Sequence, residues 1–530
     1  MRVSLPGIVG LAGLVALVSC ADIAAATAPV VATKAGSVQG VRQASVDVFL
    51  GVPYAEPPIG ALRWRAPVAV RSWPEVRPAT VYASSCYQEW PARTFGPYTS
   101  EFVDTPRHSE DCLYLNVWAP AQRAAKAPVM VWIHGGGFAG GSGALSIYNG
   151  AHLAARGIVV VTINYRVGPF GFLAHPELTR EAQGMGVGNY GLQDMIEALR
   201  WVRSNIQAFG GDPERVTIAG QSAGAIAVND LIVSPAAKGL FARAIAQSGS
   251  GMGIPAIALA EAERNGERFA KAAGATSLGE LRALTAEKIQ AANPLYFGPP
   301  PPGAPARIEL RPVLDGVVLP VDPIEPAAAL ASRLPVMTGF NADEFMPARA
   351  PTAAEFQQSV RARYDAHADR LLALYPHASD QEAAQSARAL VRDVYMASTY
   401  RWAVERSSAS ATPAYAYLFT HPSPVAKPPG FGTFHSSEIP YVFGVLDRKH
   451  RPYGDADEQI ARQLQSYWLN FIRTGDPNGG PYPRWDPVRR DIIEVMGLGD
   501  APGPRPPVSS SERFRALMDY ADSGGLLSIR

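Results

Sequence analysis

The chain has 530 residues, 47% of them hydrophobic, enough to build a large core. Its 48 Lys and Arg balance 47 Asp and Glu, so no surplus of charge points to nucleic acid or to an anionic membrane surface. No repeat of fixed period and no long low-complexity linker divides it, which favours one large domain with long insertions.

The first residues read apart from the rest. Arg2 precedes an apolar stretch from Leu5 to Val18, broken by Pro6 and several glycines and followed by Ser19 and Cys20. This stretch is too short for a spanning helix and fits an export signal over residues 1–28, with a single domain expected over 29–530. How the signal ends is open between two readings. LVSC at 17–20 resembles a bacterial lipobox, which makes Cys20 the candidate for lipidation and for any membrane attachment. AAATA fits signal-peptidase cleavage near Ala26 or Ala28, against which stands Pro29. The expected location is periplasmic, outer-membrane lipoprotein or secreted. With Cys20 in the signal, Cys86 and Cys112 remain as an even pair in an exported chain, and one disulfide is expected.

Further along, short β-branched runs alternate with helix-length amphipathic segments. APVMVWIHG (127–135) and GIVVVTINYR (157–166) are continuously apolar, as buried parallel strands are. GLQDMIEALRWVRSNIQAF (191–209) places Met195, Leu199, Val202 and Ile206 at helical spacing and stops before Gly210 and Gly211. RVTIAG, FARAIAQSG (241–249), LPVMTGF (334–340) and AYAYLFT (414–420) read as further strands. ADEQIARQLQSYWLNFIRTG (456–475) reads as a helix stopped by Gly475 and Pro477. This order predicts an α/β fold, a mostly parallel sheet with helices on both faces. GPPPPGAPAR (298–307) can be neither helix nor central strand. The stretch from about 255 to 430 is expected to insert helices and loops over the sheet's carboxyl edge and to shape a pocket there.

Three strand ends carry residues suited to acyl transfer. In VTIAGQSAGA (216–225), Ser222 stands between Gly220 and Gly224 where a strand meets a helix, a turn that projects the side chain beyond the sheet. The helix beginning at Ala223 aims backbone N–H groups and its positive end at any oxyanion beside that serine. A serine needs a base. Of nine histidines, His435 in GTFHSSEIPYVFG follows a strand and comes late in the chain. His134 belongs to HGGGF (134–138), His367 and His377 have polar helical surroundings, and His421 and His450 lack a comparable setting. An acid to orient the imidazole is available in GFNADEF as Asp343 or Glu344, and the pattern leaves that choice open. The glycines of HGGGF let backbone N–H groups line an oxyanion hole with that of Ala223.

Taken together, these motifs resemble the type-B carboxylesterase (cholinesterase-like) family, which has the α/β-hydrolase fold. FLGVPYAEPPIGALRWRAP (49–67), EDCLYLNVWAP (110–120), VWIHGGGF, NIQAFGGDPERVTIAGQSAG (205–224), RPVLDG (311–316), GFNADE, HSSEIPYVFG and TGDPN (474–478) all match it. The resemblance implies Ser222 as nucleophile, His435 as base and Glu344 as acid, with Gly136, Gly137 and Ala223 as the oxyanion hole. It supports the Cys86–Cys112 pairing and makes Trp90, Phe95, Tyr98 and Phe102 candidates for the gorge wall. It also implies a buried acidic role beside the catalysts for Glu438. Gln221, where many members carry Glu, and Phe345, where Gly is common, depart from the pattern.

The resulting expectation is an exported serine hydrolase of carboxylic esters that needs no metal or organic cofactor and takes a small-molecule ester. Its rivals are a catalytically silent binding protein of the same fold, and lipase or amidase action by the same residues. Neither the natural ester nor the oligomeric state is legible.

Overall fold

The computed structural model describes Met1 and residues 28–89, 95–122, 126–251, 254–295, 303–304, 306–324, 333–344, 350–424, 431–447 and 449–528. Residues 2–27, Cys20 among them, together with Trp90, Phe345 and most of the proline run, lie outside them. Among the described residues, eleven strands form the main sheet. They are β1 (Val41–Gln43), β2 (Val46–Pro53), β3 (Tyr114–Pro120), β4 (Ala127–Ile133), β5 (Val159–Ile163) and β6 (Gly211–Gln221), followed by β7 (Arg243–Gln247), β8 (Val336–Asn341), β9 (Ala414–Phe419), β10 (Val495–Leu498) and β11 (Gly503–Arg505). Their spatial order is 11-10-9-8-7-6-4-5-3-2-1. All pairings from β5 across to β10 are parallel, and β1 to β3 and β11 add antiparallel edges.

The central strands are apolar throughout because both of their faces are covered. Along β4, Val129, Val131 and Ile133 pack into one cluster with Met195, Leu199 and Val202 of helix α1 (Tyr190–Asn205). The alternate residues Met130 and Trp132 join Leu464, Trp468 and Phe471 of helix α4 (Asp455–Thr474) on the opposite face. Each fully buried aliphatic side chain of this kind contributes about 1.5–3 kcal/mol of transfer free energy. The expected helix at 191–209 ends its α-helical part at Asn205 and finishes as a tighter turn over Ile206–Phe209. Asn205 explains the change: its amide donates back to Trp201 O while its carbonyl accepts from Lys34 N, and Gly210 closes the turn at φ 87°.

The strand register positions the candidate site. β6 pairs with β4 so that Gly220 faces Ile133, and with β7 so that Gln221 faces Gln247. The ends of β4 and β6 thus lie side by side, and HGGG and Ser222 follow directly. The chain leaves β4 outward to β5 and then returns past it to form β6, the reversal of strand order at which open α/β sheets bind ligands.

Of the stretch between 255 and 430, Leu295, Arg307 and Arg311 border the cavity over this edge. Its longest helix, α3 (Asp380–Ser410), instead lies along β8 and β9 and forms a third apolar cluster with helix α5 (Ser511–Asp522). Cys86 and Cys112 are joined in a buried disulfide. Among the described residues, no helix is long and apolar enough to cross a membrane.

Candidate active site

Ser222 occupies the turn between β6 and helix α2 (Ala223–Val233) at φ 60° and ψ −126°, a conformation that side-chain-bearing residues rarely adopt. Such a residue costs on the order of 1–3 kcal/mol and persists where the surroundings dictate it. Here they do. A Cβ on Gly220 would stand 2.5 Å from Gly224 O, and one on Gly224 would stand 2.1 Å from Ile133 O. Backbone passes where those side chains would be, so the two glycines let the turn close against β4. Ser222 N donates to Gln247 O at 2.9 Å, fastening the turn to β7.

His435 comes to the same edge on the loop after β9, 8% exposed. Its Nδ1 donates to Glu344 Oε2. Glu344, 2% exposed, follows the end of β8, and its other oxygen accepts from Ser248 Oγ at 2.5 Å and Asn341 N at 2.9 Å. Asp343 is turned elsewhere. It accepts from Thr433 N at 2.9 Å and from Arg392 Nη2 at 3.0 Å, tying the histidine loop to β8 and α3. The carboxylate that reaches the imidazole is therefore Glu344.

Glu438 is fully buried behind this pair and accepts from Asn341 Nδ2 at 2.5 Å and Gln247 Nε2 at 2.9 Å. Burial, and then the charge of Glu344, raise its carboxyl above the usual range. Gln221 lies against the other ring nitrogen: its amide donates to His435 Nε2 at 3.1 Å. Among the loop glycines, Gly136 (φ 115°) and Gly137 (φ 63°) take backbone angles that other residues avoid, and with Ala223 they border the cavity. His134 is buried, stacks on Tyr165 and donates from Nδ1 to Gly135 O at 2.8 Å. Burial lowers it to about 4, so it is neutral at pH 7 and serves the loop's shape.

The cavity in front of Ser222 and His435 has a volume of about 510 Å³, within the range of small-molecule sites. Phe95, Tyr98 and Phe102, expected at the wall, do line it. Several residues here have no motif to announce them. Tyr98 OH donates to His435 O at 3.0 Å. Arg451, 2% exposed, donates to Glu101 at 3.0 Å and Thr99 Oγ1 at 2.8 Å and lies over the rings of Phe102 and Phe434. It thus binds the aromatic wall to the residue preceding His435. Arg307 and Arg311 bring positive charge to the cavity. Only Arg311 lies in a family-matching stretch, RPVLDG, and its place at the cavity depends on chain returning from far away.

A parallel sheet with a strained strand-to-helix serine, a glycine loop beside it and a late histidine defines an α/β-hydrolase. The Carboxylesterase family model matches residues 27–505, and the chain belongs to this family of ester hydrolases. Curated relatives agree. The fumonisin B1 esterase of Sphingopyxis macrogoltabida is 37% identical over 492 residues, covering 89% of this chain and 86% of that protein. The para-nitrobenzyl esterase of Bacillus subtilis (strain 168) is 36% identical over 473 residues, covering 85% and 91%. A solved PNB esterase structure superposes with a TM-score of 0.77 at 32% identity, covering 93% of this chain and all of that one.

Proposed function

We propose that this carboxylesterase cleaves its ester through an acyl-enzyme formed on Ser222, with His435 as general base and Glu344 as its orienting acid, and that it works outside the cytoplasm. The observation that carries the reading is the Glu344–His435 hydrogen bond on an imidazole that borders the same cavity as strained Ser222. With Nδ1 donating to Glu344, Nε2 is the basic nitrogen and takes the serine proton as Oγ attacks the acyl carbonyl. The N–H groups of Gly136, Gly137 and Ala223 receive the oxyanion, aided by the positive end of α2. Collapse of the tetrahedral intermediate expels the alkoxide, which collects the proton from His435. Water, deprotonated by the same imidazole, then releases the acid and regenerates Ser222.

Export is supported by the apolar segment from Leu5 to Val18 and by the Cys86–Cys112 disulfide, a bond that persists in oxidising compartments. A fluorophosphonate should add one equivalent to Ser222, detected by intact mass and peptide mapping. Ser222→Ala should lose both the label and turnover of a p-nitrophenyl ester while keeping its circular dichroism. A label on another residue, or turnover retained in Ser222→Ala, would overturn the mechanism. Acyl labelling of Cys20, or instead a mature chain beginning near residue 27 or 29, decides how the signal ends; a cytoplasmic chain that keeps residue 1 overturns export.

A further inference from the structure

The glycine loop after β4 is gripped by a side chain that no motif announces. From His134 to Leu145 the chain has no sheet ladder, so its buried backbone groups depend on turns and side chains for partners. Gln88, 4% exposed, supplies both partners at Gly141: its Nε2 donates to Gly141 O at 2.8 Å and its Oε1 accepts from Gly141 N at 2.6 Å. The second N–H of the same amide goes to Cys86 O at 2.9 Å. We infer that Gln88 is a positioning residue for the oxyanion loop, a clamp that the Cys86–Cys112 disulfide fixes in place, and that the rate of ester cleavage depends on it although it does not border the cavity. This rests on the acyl transfer proposed for Ser222 and adds what holds its oxyanion donors.

Gly141 carries the hold to the donors. It borders the cavity, whereas Gln88 does not. A Cβ on Gly141 would lie 2.4 Å from both Gly135 O and His134 Nδ1, so Gly141 is packed directly on the start of the loop. Between them, Ala139 N donates to Gly136 O at 3.0 Å and Gly140 N to the same oxygen at 3.2 Å. Gly136 and Gly137, the proposed donors, thus sit in a tight fold of backbone that Gly141 closes. Two further ties hold the same segment. Ser85 Oγ donates to Ser142 Oγ at 2.8 Å, and both serines are fully buried. Asn164 accepts from Gly143 N at 2.9 Å and donates to Cys112 O at 3.2 Å. The carbonyls of both bridged cysteines are therefore held by side chains that also hold Gly141 or Gly143. An oxyanion hole works because its donors already stand where charge develops, so a clamp on the loop acts on the transition state rather than on ground-state binding.

The test separates positioning from stability with two ligands. A trifluoromethyl ketone with a heptyl chain accepts Ser222 Oγ at its carbonyl carbon: a C–O bond forms, the serine proton passes to His435, and the carbonyl π electrons become an oxyanion in the hole. The corresponding trifluoromethyl carbinol fills the same cavity without forming an oxyanion. Wild type should bind the ketone far more tightly than the carbinol. Gln88→Met keeps the side chain's length and loses its three hydrogen bonds. In it, kcat/KM for p-nitrophenyl butyrate should fall about 10- to 100-fold, the cost of a small misplacement at the reacting centre. Ki for the ketone should rise by a similar factor, and Ki for the carbinol should change less than about twofold. Ser85→Ala, a smaller change that leaves Gln88 in place, should move kcat/KM and the ketone Ki in the same sense by about two- to fivefold. A Gln88→Met protein that melts lower yet keeps the wild-type kcat/KM and ketone-to-carbinol ratio would overturn the inference, as would an unchanged ratio in Ser85→Ala if Gln88→Met does not fold. Where wild type prefers the ketone and Ser222 is labelled, such a result removes only the role of Gln88. A wild type without that preference would remove the oxyanion hole itself and the inference with it.

Discussion

The two sides of His435 are built differently. Behind the ring, Glu344, Ser248, Asn341, Glu438, Gln247 and Trp468 form a continuous chain of hydrogen bonds, all within or just beyond β7 and β8 except Glu438 and Trp468. In front lies the cavity, walled by segments around residues 95–103 and 135–148 and by Ile254, Leu295, Arg307 and Arg311. The rear holds the imidazole through a largely paired buried network, in which Asn341 Oδ1 is left without a hydrogen-bond partner. The front is free to vary with the substrate. If Ser222 and His435 act as proposed, the machinery and the selectivity of this protein occupy opposite faces of one imidazole.

The largest expected effect breaks the rear. Glu344→Gln should reduce kcat by about 10³- to 10⁴-fold, since the amide can hold the ring in the wrong tautomer. Asp343→Asn should cost less than about tenfold, because it weakens a loop tie and leaves the imidazole's partner in place. Steady-state kinetics on one neutral ester rank the two, and the reverse ranking would assign the acid to Asp343.

The second prediction loosens the front. Opening the 26-position Cys86–Cys112 loop should remove roughly 3 to 4 kcal/mol in the chain-entropy account. A Cys86→Ala/Cys112→Ala variant should therefore melt several degrees lower in a thermal scan, and a non-reducing peptide map of the parent should contain the linked pair. Two free thiols in protein from an oxidising compartment would contradict the bridge.

The smallest effect is on the boundary between the two sides. Gln221→Glu places a carboxylate against Nε2 of His435, where it stabilises the imidazolium. The protonated, inactive ring then survives to higher pH, so the acidic limb of kcat/KM should move upward. The ratio of a cationic ester to its neutral isostere should rise a few-fold. Glu438 behind the ring limits the change. A profile and a ratio that both stay put would mean that residue 221 does not sense the site.

This division also explains what could be read without coordinates. Gly135, Gly220 and Gly224 are fixed by close backbone approach, and Gly136 and Gly137 by positive φ, requirements that act over a few residues and leave a local pattern. The buried strands were equally legible, because continuous apolarity follows from having both faces covered. The motif at 343–344 revealed a carboxylate but not which one. The resemblance implies Glu344; in the structure Glu344 reaches the imidazole while Asp343 faces Thr433 and Arg392. Ser248, Asn341 and Arg451 were missed because each acts through a partner distant in sequence, and a serine, an asparagine or an arginine alone has no distinctive spacing. The cover was legible only as bulk. Its residues meet the site after long excursions, and α3 within it serves the sheet's flank rather than the pocket.

The tie from Tyr98 to His435 spans 337 positions and that from Glu101 to Arg451 spans 350. Contacts of such range form late and slowly, since the entropy of closing the intervening chain must be lost before they form. A chain cut or stalled before residue 435 holds the serine turn and the glycine loop but no imidazole to serve them. With His435 as the proposed base, hydrolytic competence should be a signature of the completed fold. In a refolding experiment, helical signal and core fluorescence should return first and turnover last.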